Sequence, residues 1–267
     1  MLPQDYHLHT RFAGDSQSEM DAVCARALAR GLREIAFVDH HDFETFSPEF
    51  NRLRLQEYRA EIERCRSIYG KRLAIRCGVE IGEAHAFPAQ ARELLASFDF
   101  DVVMGSLHFI GETATWNGQY FRRYTLEDGV RTYFAELARM VAESDFDILG
   151  HFDVVLFAIY HTFGLVRLDY TPYAEAVRSV LGTLVVRRKA LEINTKSLRG
   201  RMGEPNPPLQ VLRWYRELGG ELLTLGSDAH EVESVGVGLE LALAMAREAG
   251  FTHLASFEGR QATMVRI

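Results

Sequence analysis

Histidine and carboxylate side chains recur in this sequence in short clusters whose placement points to chemistry on metal ions. His7 and His9 sit two apart in Asp5-Tyr6-His7-Leu8-His9-Thr10. If that segment is a strand, its period of two turns both imidazoles to one face, where they can share an ion. An H-x-H pair alone is weak evidence. Five further segments end in side chains of the same kind: Val38-Asp39-His40-His41-Asp42, Gly78-Val79-Glu80, Gly105-Ser106-Leu107-His108, Leu149-Gly150-His151-Phe152-Asp153 and Gly226-Ser227-Asp228-Ala229-His230. Core histidines or helix-capping acids would explain any one of these, but not their shared position at the ends of apolar runs. Imidazole and carboxylate without thiolate suit Zn, Mn or Fe. The donors exceed what one ion needs, so two or three divalent ions are expected. A carboxylate such as Glu80 bridging two ions would hold them roughly 3.5–4 Å apart, the spacing used for in-line displacement at phosphorus. Water at such a site is acidified towards neutral pH and becomes a nucleophile.

For these ends to meet, the runs that precede them must be parallel strands of one sheet. The apolar segments 4–9, 34–39, 73–80, 101–108, 147–151, 190–194 and 221–228 read as strands, with little of the polar alternation of a one-sided sheet. Helical patterns fall between them at 18–30, 48–69, 88–97, 126–143, 171–188, 207–218 and 237–249. Ser47-Pro48 reads as a helix start, and 262–267 as an eighth, short strand. Seven βα units fit one barrel over 1–267 better than two domains. A doubly wound open sheet would carry a Gly-rich loop after its first strand, where His7-Leu8-His9-Thr10 stands instead. In a barrel, the C-terminal strand ends share the face where active sites sit.

The bulk composition limits the partners. A net charge of -7 argues against a dedicated nucleic-acid binder, which would show a basic face. Cys24, Cys65 and Cys77 lack paired ligand spacing and read as reduced, buried thiols, so the cytoplasm is the expected setting. No apolar run approaches the ~18 residues of a membrane span, and the N-terminal residues lack the pattern of a secretion signal. The expected partner is a small phosphorylated substrate, with neither nucleic acid nor membrane.

The motifs resemble the PHP superfamily, named for polymerase and histidinol phosphatase, and most of all its histidinol-phosphate phosphatase branch. The resemblance runs from Asp5-Tyr6-His7-Leu8-His9-Thr10 to Leu225-Gly226-Ser227-Asp228-Ala229-His230, and includes Gly78-Val79-Glu80-Ile81-Gly82, Gly150-His151-Phe152-Asp153 and Glu192-Ile193-Asn194-Thr195. It implies an α/β fold, a distorted (β/α)7 TIM-like barrel, with a trinuclear metal centre. By that resemblance His7, His9, Glu80 and Asp228 hold a first metal, and Asp15, His40 and His230 a second. Glu80 then bridges to a third held with His108 and His151. The implied reaction is hydrolysis of L-histidinol phosphate to L-histidinol and inorganic phosphate, a step of histidine biosynthesis. Another small phosphate ester, such as a nucleotide or cyclic phosphodiester, is the alternative, ahead of a nucleic-acid-processing role.

Asp228, His230 and Arg199 are the expected catalytic groups, and Arg199, His41 and Lys196 the expected substrate contacts. Arg199 lies in Lys196-Ser197-Leu198-Arg199-Gly200-Arg201, and a guanidinium fork suits phosphate oxygens. The chain departs from the family after Gly150-His151-Phe152-Asp153. Residues 154–159 carry no cation where a basic residue is expected, so Arg122 or Arg123 is the candidate substitute. Asp39 and Asp153 are expected to fix the tautomers of nearby histidines. His85, His161 and His253 have no motif context and read as surface or structural residues. The aromatic and Arg-rich loop 116–124 reads as either a lid or a surface excursion.

Overall fold

A computed structural model describes residues 2–45 and 51–267, so the expected helix start at Ser47-Pro48 lies outside the described residues. Seven strands form one parallel sheet in the order β1 (Leu2–Leu8), β2 (Leu32–Phe37), β3 (Ala74–Gly82), β4 (Val102–Ser106), β7 (Ile148–Leu149), β8 (Ala190–Asn194) and β9 (Leu223–Gly226). The order follows the chain, so the sheet curls into a nearly closed barrel. Its first and last strands meet at a seam made by Leu8 and Ala229, where the His9 N–H donates to the Ala229 carbonyl at 3.0 Å. The fold is the expected seven-stranded α/β barrel.

Alternation inside apolar strands builds two cores. In β2, Ile35 and Phe37 face the helices while Ala36 joins the barrel interior with Tyr6, Val102, Met104, Ile148 and Ala190. The helices α1 (Met20–Ala29), α2 (Leu55–Tyr69), α3 (Pro88–Ser97), α4 (Leu126–Glu143), α5 (Val155–Phe163), α6 (Ala174–Arg187), α7 (Leu209–Glu217) and α8 (Leu239–Glu248) surround the sheet. Thr125 caps α4 by accepting the Asp128 N–H at 3.1 Å. Among the described residues no helix is long and apolar enough to cross a membrane.

Three elements depart from expectation. Helix α5 occupies 155–163, where the uniformly apolar run gives no amphipathic signal, and it ends at Gly164 with φ of 70°. A short hairpin, β5 (Phe109–Ile110) with β6 (Thr113–Ala114), follows β4. The expected eighth strand is the outer half of an antiparallel hairpin, β10 (His253–Glu258) with β11 (Gln261–Arg266), separate from the barrel sheet. That hairpin closes the barrel's N-terminal end. The Phe257 N–H donates to the Tyr6 hydroxyl at 2.7 Å, and Arg260 bonds Asp145 and Asp147 ahead of β7.

Candidate metal centre

Nine side chains, eight from the strand ends and Asp15 from the loop after β1, converge at the opposite end of the barrel. His9, Asp15, His40 and His230 form one group of potential metal donors. His7, His151 and Asp228 form another, His7, His9 and Glu80 a third, and His40, Glu80 and His108 a fourth, each with donor atoms within 4.8 Å of one another. Glu80 is fully buried and joins the sets. Its Oε2 lies 3.2 Å from His7 Nε2, 3.4 Å from His9 Nε2 and 3.4 Å from His40 Nδ1. Its Oε1 lies 3.1 Å from His151 Nε2 and 3.3 Å from His108 Nε2, and accepts the Ser106 hydroxyl at 2.5 Å. One carboxylate therefore presents each oxygen to a different set of imidazoles.

Local structure explains the convergence. The His41 N–H donates to the Glu80 carbonyl and the Glu80 N–H to the Asp39 carbonyl, so parallel register sets His40 beside Glu80. Asp228 (φ 51°) and His151 (φ 21°) occupy the left-handed region, which redirects their side chains inwards at a conformational cost. Asp5 secures the seam: its carboxylate accepts the Ser227 N–H at 2.8 Å, the Ser227 hydroxyl at 2.6 Å and the Gly236 N–H at 3.1 Å.

A second tier of carboxylates orients the ring-bearing residues. Glu192, buried on β8, has Oε1 2.7 Å from His7 Nδ1, while its Oε2 accepts the His151 N–H at 2.7 Å. Gly226 makes room for it, since a Cβ there would lie 2.0 Å from Glu192 Oε1. Glu83 accepts the N–H groups of His108 at 2.5 Å and Phe109 at 2.8 Å. The sequence suggests neither Glu192 nor Glu83 for this work and assigns it to Asp39 and Asp153. Asp39 instead accepts from Thr10, and Asp153 from the Tyr170 hydroxyl. An inward-facing acid flanked by Leu191 and Ile193 is the signal that could have found Glu192.

The electrostatics describe a site that wants cations. Burial disfavours the Glu80 charge, but His7, His40 and His108 outweigh it and hold the carboxyl well below its ordinary pKa. Burial likewise opposes charge on Asp228, where Lys196, His7 and His230 win and the pKa falls. His40 is opposed by burial yet raised to about 10 by Glu80 and Asp15. His9 is driven well down by burial and by the neighbouring His230 and His40. Both ring nitrogens of His9, with Nδ1 of His40 and of His151, are buried without a hydrogen-bond partner. Orphaned imidazole nitrogens among carboxylates fit N/O-coordinated divalent metals and little else.

A cavity of about 380 Å³ opens onto this centre. Lys196 lines it with Nζ 2.9 Å from Asp228 Oδ1, and Phe109, Trp116, Val154 and Phe157 provide an apolar wall. Arg199 is placed differently from the sequence reading. Its guanidinium donates to the Ser227 carbonyl at 2.6 Å and the Asp228 carbonyl at 2.8 Å, so it braces the loop beneath Asp228 and is not among the lining residues. His41, Arg122 and Arg123 do not line the cavity either, whereas His161 does. The loop 116–124 is a packed wall rather than a free excursion, with Tyr120 and Phe121 buried and Phe121 against Phe163 of α5.

The PHP domain profile matches residues 5–196. A histidinol-phosphatase of Lactococcus lactis is 30% identical over 261 residues, covering 97% of this chain and 96% of that protein. The crystal structure of a Lactococcus lactis histidinol phosphate phosphatase complexed with zinc, L-histidinol and phosphate superposes with a TM-score of 0.89, at 28% identity and 98% coverage of both chains. A Listeria monocytogenes chain shares the fold, with a TM-score of 0.73 at 20% identity over 89% of this chain and 99% of that one.

Proposed function

The chain belongs to the PHP domain family, and on that premise we propose that it is a metal-dependent phosphatase hydrolysing L-histidinol phosphate to L-histidinol and inorganic phosphate. The observation that carries this reading is Glu80, whose two oxygens face two imidazole sets at the floor of the cavity. The Lactococcus lactis structure with zinc, L-histidinol and phosphate supports the substrate. In this reading the whole chain acts as one domain in histidine biosynthesis. Its three buried free thiols fit a reducing cytoplasm.

His7, His9, Glu80 and Asp228 would hold one ion, Asp15, His40 and His230 a second, and Glu80, His108 and His151 a third. Two or three divalent ions of the zinc, manganese or iron type would supply Lewis acidity and an acidified water there. Glu192 keeps a proton on His7 Nδ1 and so turns the Nε2 lone pair to the centre. Asp228 Oδ1, 3.3 Å from His230 Nδ1, takes the proton of the attacking water and returns it to the departing alcohol oxygen. Lys196 meets the phosphoryl oxygens once its ammonium leaves Asp228. Arg199 acts through the main chain at Ser227 and Asp228 instead of touching phosphate.

The test is phosphate release from L-histidinol phosphate by metal-loaded protein, alongside other phosphate esters under the same conditions. No release from histidinol phosphate sinks the substrate. A second reading, hydrolysis of another small phosphate ester, is favoured by Val154 and Phe157 lining the wall where a cation is expected. In that case another ester gives the largest kcat/KM.

A further inference from the structure

The three donors proposed for the second ion differ from the rest of the centre. The side chains of Asp15, His40 and His230 are 23%, 16% and 19% exposed, more than any other donor there, whereas His7, His9 and Glu80 are fully buried. They also come from three separate loops, after β1, β2 and β9. Donors carried on loops keep their spacing only when something ties the loops together. The hydroxyls of Ser16 and Ser18 tie the loop after β1 to the carbonyl of His230, at 2.7 Å and 3.0 Å. The loops of Asp15 and His40 share their roots through Thr10 and Asp39, and need a second tie nearer the donors.

One side-chain amide supplies it. Asn51 Nδ2 donates to the Phe12 carbonyl at 2.7 Å and to the His40 carbonyl at 2.7 Å. An amide nitrogen carries two N–H bonds, so each carbonyl takes one. Asn51 is itself held on both sides of its main chain. Its N–H donates to Asp42 Oδ2 at 2.8 Å, and its carbonyl accepts the Asp42 N–H at 2.8 Å. The chain then enters α2, where Leu53 and Tyr58 are buried and the Tyr58 hydroxyl bonds the Phe37 carbonyl at 2.9 Å and the Gly78 carbonyl at 3.1 Å. The Phe12 ring packs edge-on against Tyr58, with centroids 5.5 Å apart. The amide therefore projects from a segment anchored to β2 and β3.

We infer that Asn51 is a positioning residue for the second ion, joining the main chain at Phe12 and His40 so that Asp15 and His40 stay within reach of one ion. The inference rests on the ligand assignment of the phosphatase reading and adds the residue that spaces one of its donor sets. His7, His9 and Glu80 are fixed by strand register and by the barrel seam, so they do not depend on this amide. Its loss falls on a single ion. Alanine at this position leaves two carbonyls without their donor. Aspartate is worse at the same size, because it turns an oxygen on the two carbonyls and repels them.

The experiment measures zinc binding to the metal-stripped full chain, by competition with a chromophoric chelator and with no substrate present. His230→Ala identifies the second ion by the binding step it weakens most. Asn51→Ala should weaken that same step about 10–100-fold and leave the other steps unchanged. Asn51→Asp should weaken it further. Adding Asn51→Ala to His230→Ala should cost little more than His230→Ala alone, because both act on one ion. An unchanged second step, or an equal loss at every step, overturns the inference and leaves the phosphatase reading standing. A binding curve that His230→Ala does not alter overturns the second-ion assignment and the inference with it, and phosphate release from L-histidinol phosphate then judges the phosphatase reading separately. Should Asn51→Ala fail to fold, Asn51→Asp decides on the same terms. Failure of both to fold makes Asn51 a residue of the fold and not of the ion, which also overturns the inference.

Discussion

Glu192 Oε1 lies 2.7 Å from His7 Nδ1, and the other oxygen of the same carboxylate accepts the main-chain N–H of His151. One buried acid thus orients two residues that belong to different metal positions in the proposed centre. Replacing it as Glu192→Gln should weaken metal retention by roughly 10–100-fold, as loss of a carboxylate behind a ligating imidazole does. Chelator competition followed by elemental analysis measures this. Unchanged retention would show that His7 needs no such partner.

Glu80→Gln removes the charge that faces both imidazole sets. The variant should purify with at least one ion fewer per chain than the wild type, and kcat should fall by roughly 10³-fold. Full metal content with near-normal turnover would remove Glu80 from the centre.

Lys196 and Arg199 should separate into different kinds of defect. Lys196→Met should raise KM about tenfold with little change in melting temperature, because its ammonium lines the cavity. Arg199→Met should instead cost about 2–3 kcal/mol of stability, since two buried carbonyls lose a charged donor. A raised KM with unchanged stability in Arg199→Met would return it to the phosphate.

The stability of metal-stripped protein should fall as pH rises. Burial lifts the Glu83 carboxyl from 4.5 to about 7 despite the N–H groups it accepts. The folded state therefore holds a proton that the unfolded state has lost, and that contribution disappears between about pH 4.5 and 7. His40, opposed by burial but raised from 6.5 to about 10 by Glu80 and Asp15, extends the decline through about pH 10. The melting temperature of the stripped protein should drop from pH 5 to pH 9, and Glu83→Gln should flatten the lower half of that curve. Metal-loaded protein should show the opposite trend up to neutrality, because imidazole must be free of its proton to ligate. Parallel curves for the stripped and loaded forms would count against both assignments.

The sequence carried the strand ends well. The period of two in His7-Leu8-His9 and the shared face of parallel strand ends are local and topological rules, and together they account for eight of the nine potential donors at one end of the barrel, while Asp15, in the loop after β1, was implied only by the resemblance. Interactions between elements were less legible. The pairing of Glu192 with His7 joins residues 185 apart, and no local pattern encodes it. Arg199 looks like a phosphate fork in one dimension, but the carbonyls of Ser227 and Asp228 reach it first. Helix α5 was missed because it is apolar on most sides, so the periodicity that reveals a surface helix is absent. The β10–β11 hairpin could have been found from its two-residue turn, Gly259-Arg260, between runs of alternating character.

The seam between β1 and β9 would give the proposed metal centre a mechanical role. Asp5 and Ser227, bonded across it, are 222 residues apart in sequence, and His7, His9, Asp15, Asp228 and His230 all flank it. Ions shared among those side chains would cross-link the two ends of the barrel and close a loop about as long as the one Asp5 and Ser227 span. Such a clasp stabilises chiefly by limiting the freedom of the opened chain, so its effect grows with loop length, though slowly. Demetallation would then loosen the barrel first along this one line, and amide exchange in β1 and β9 would quicken before exchange in β3 or β4. On that arrangement, metal loading would link catalytic competence to closure of the barrel.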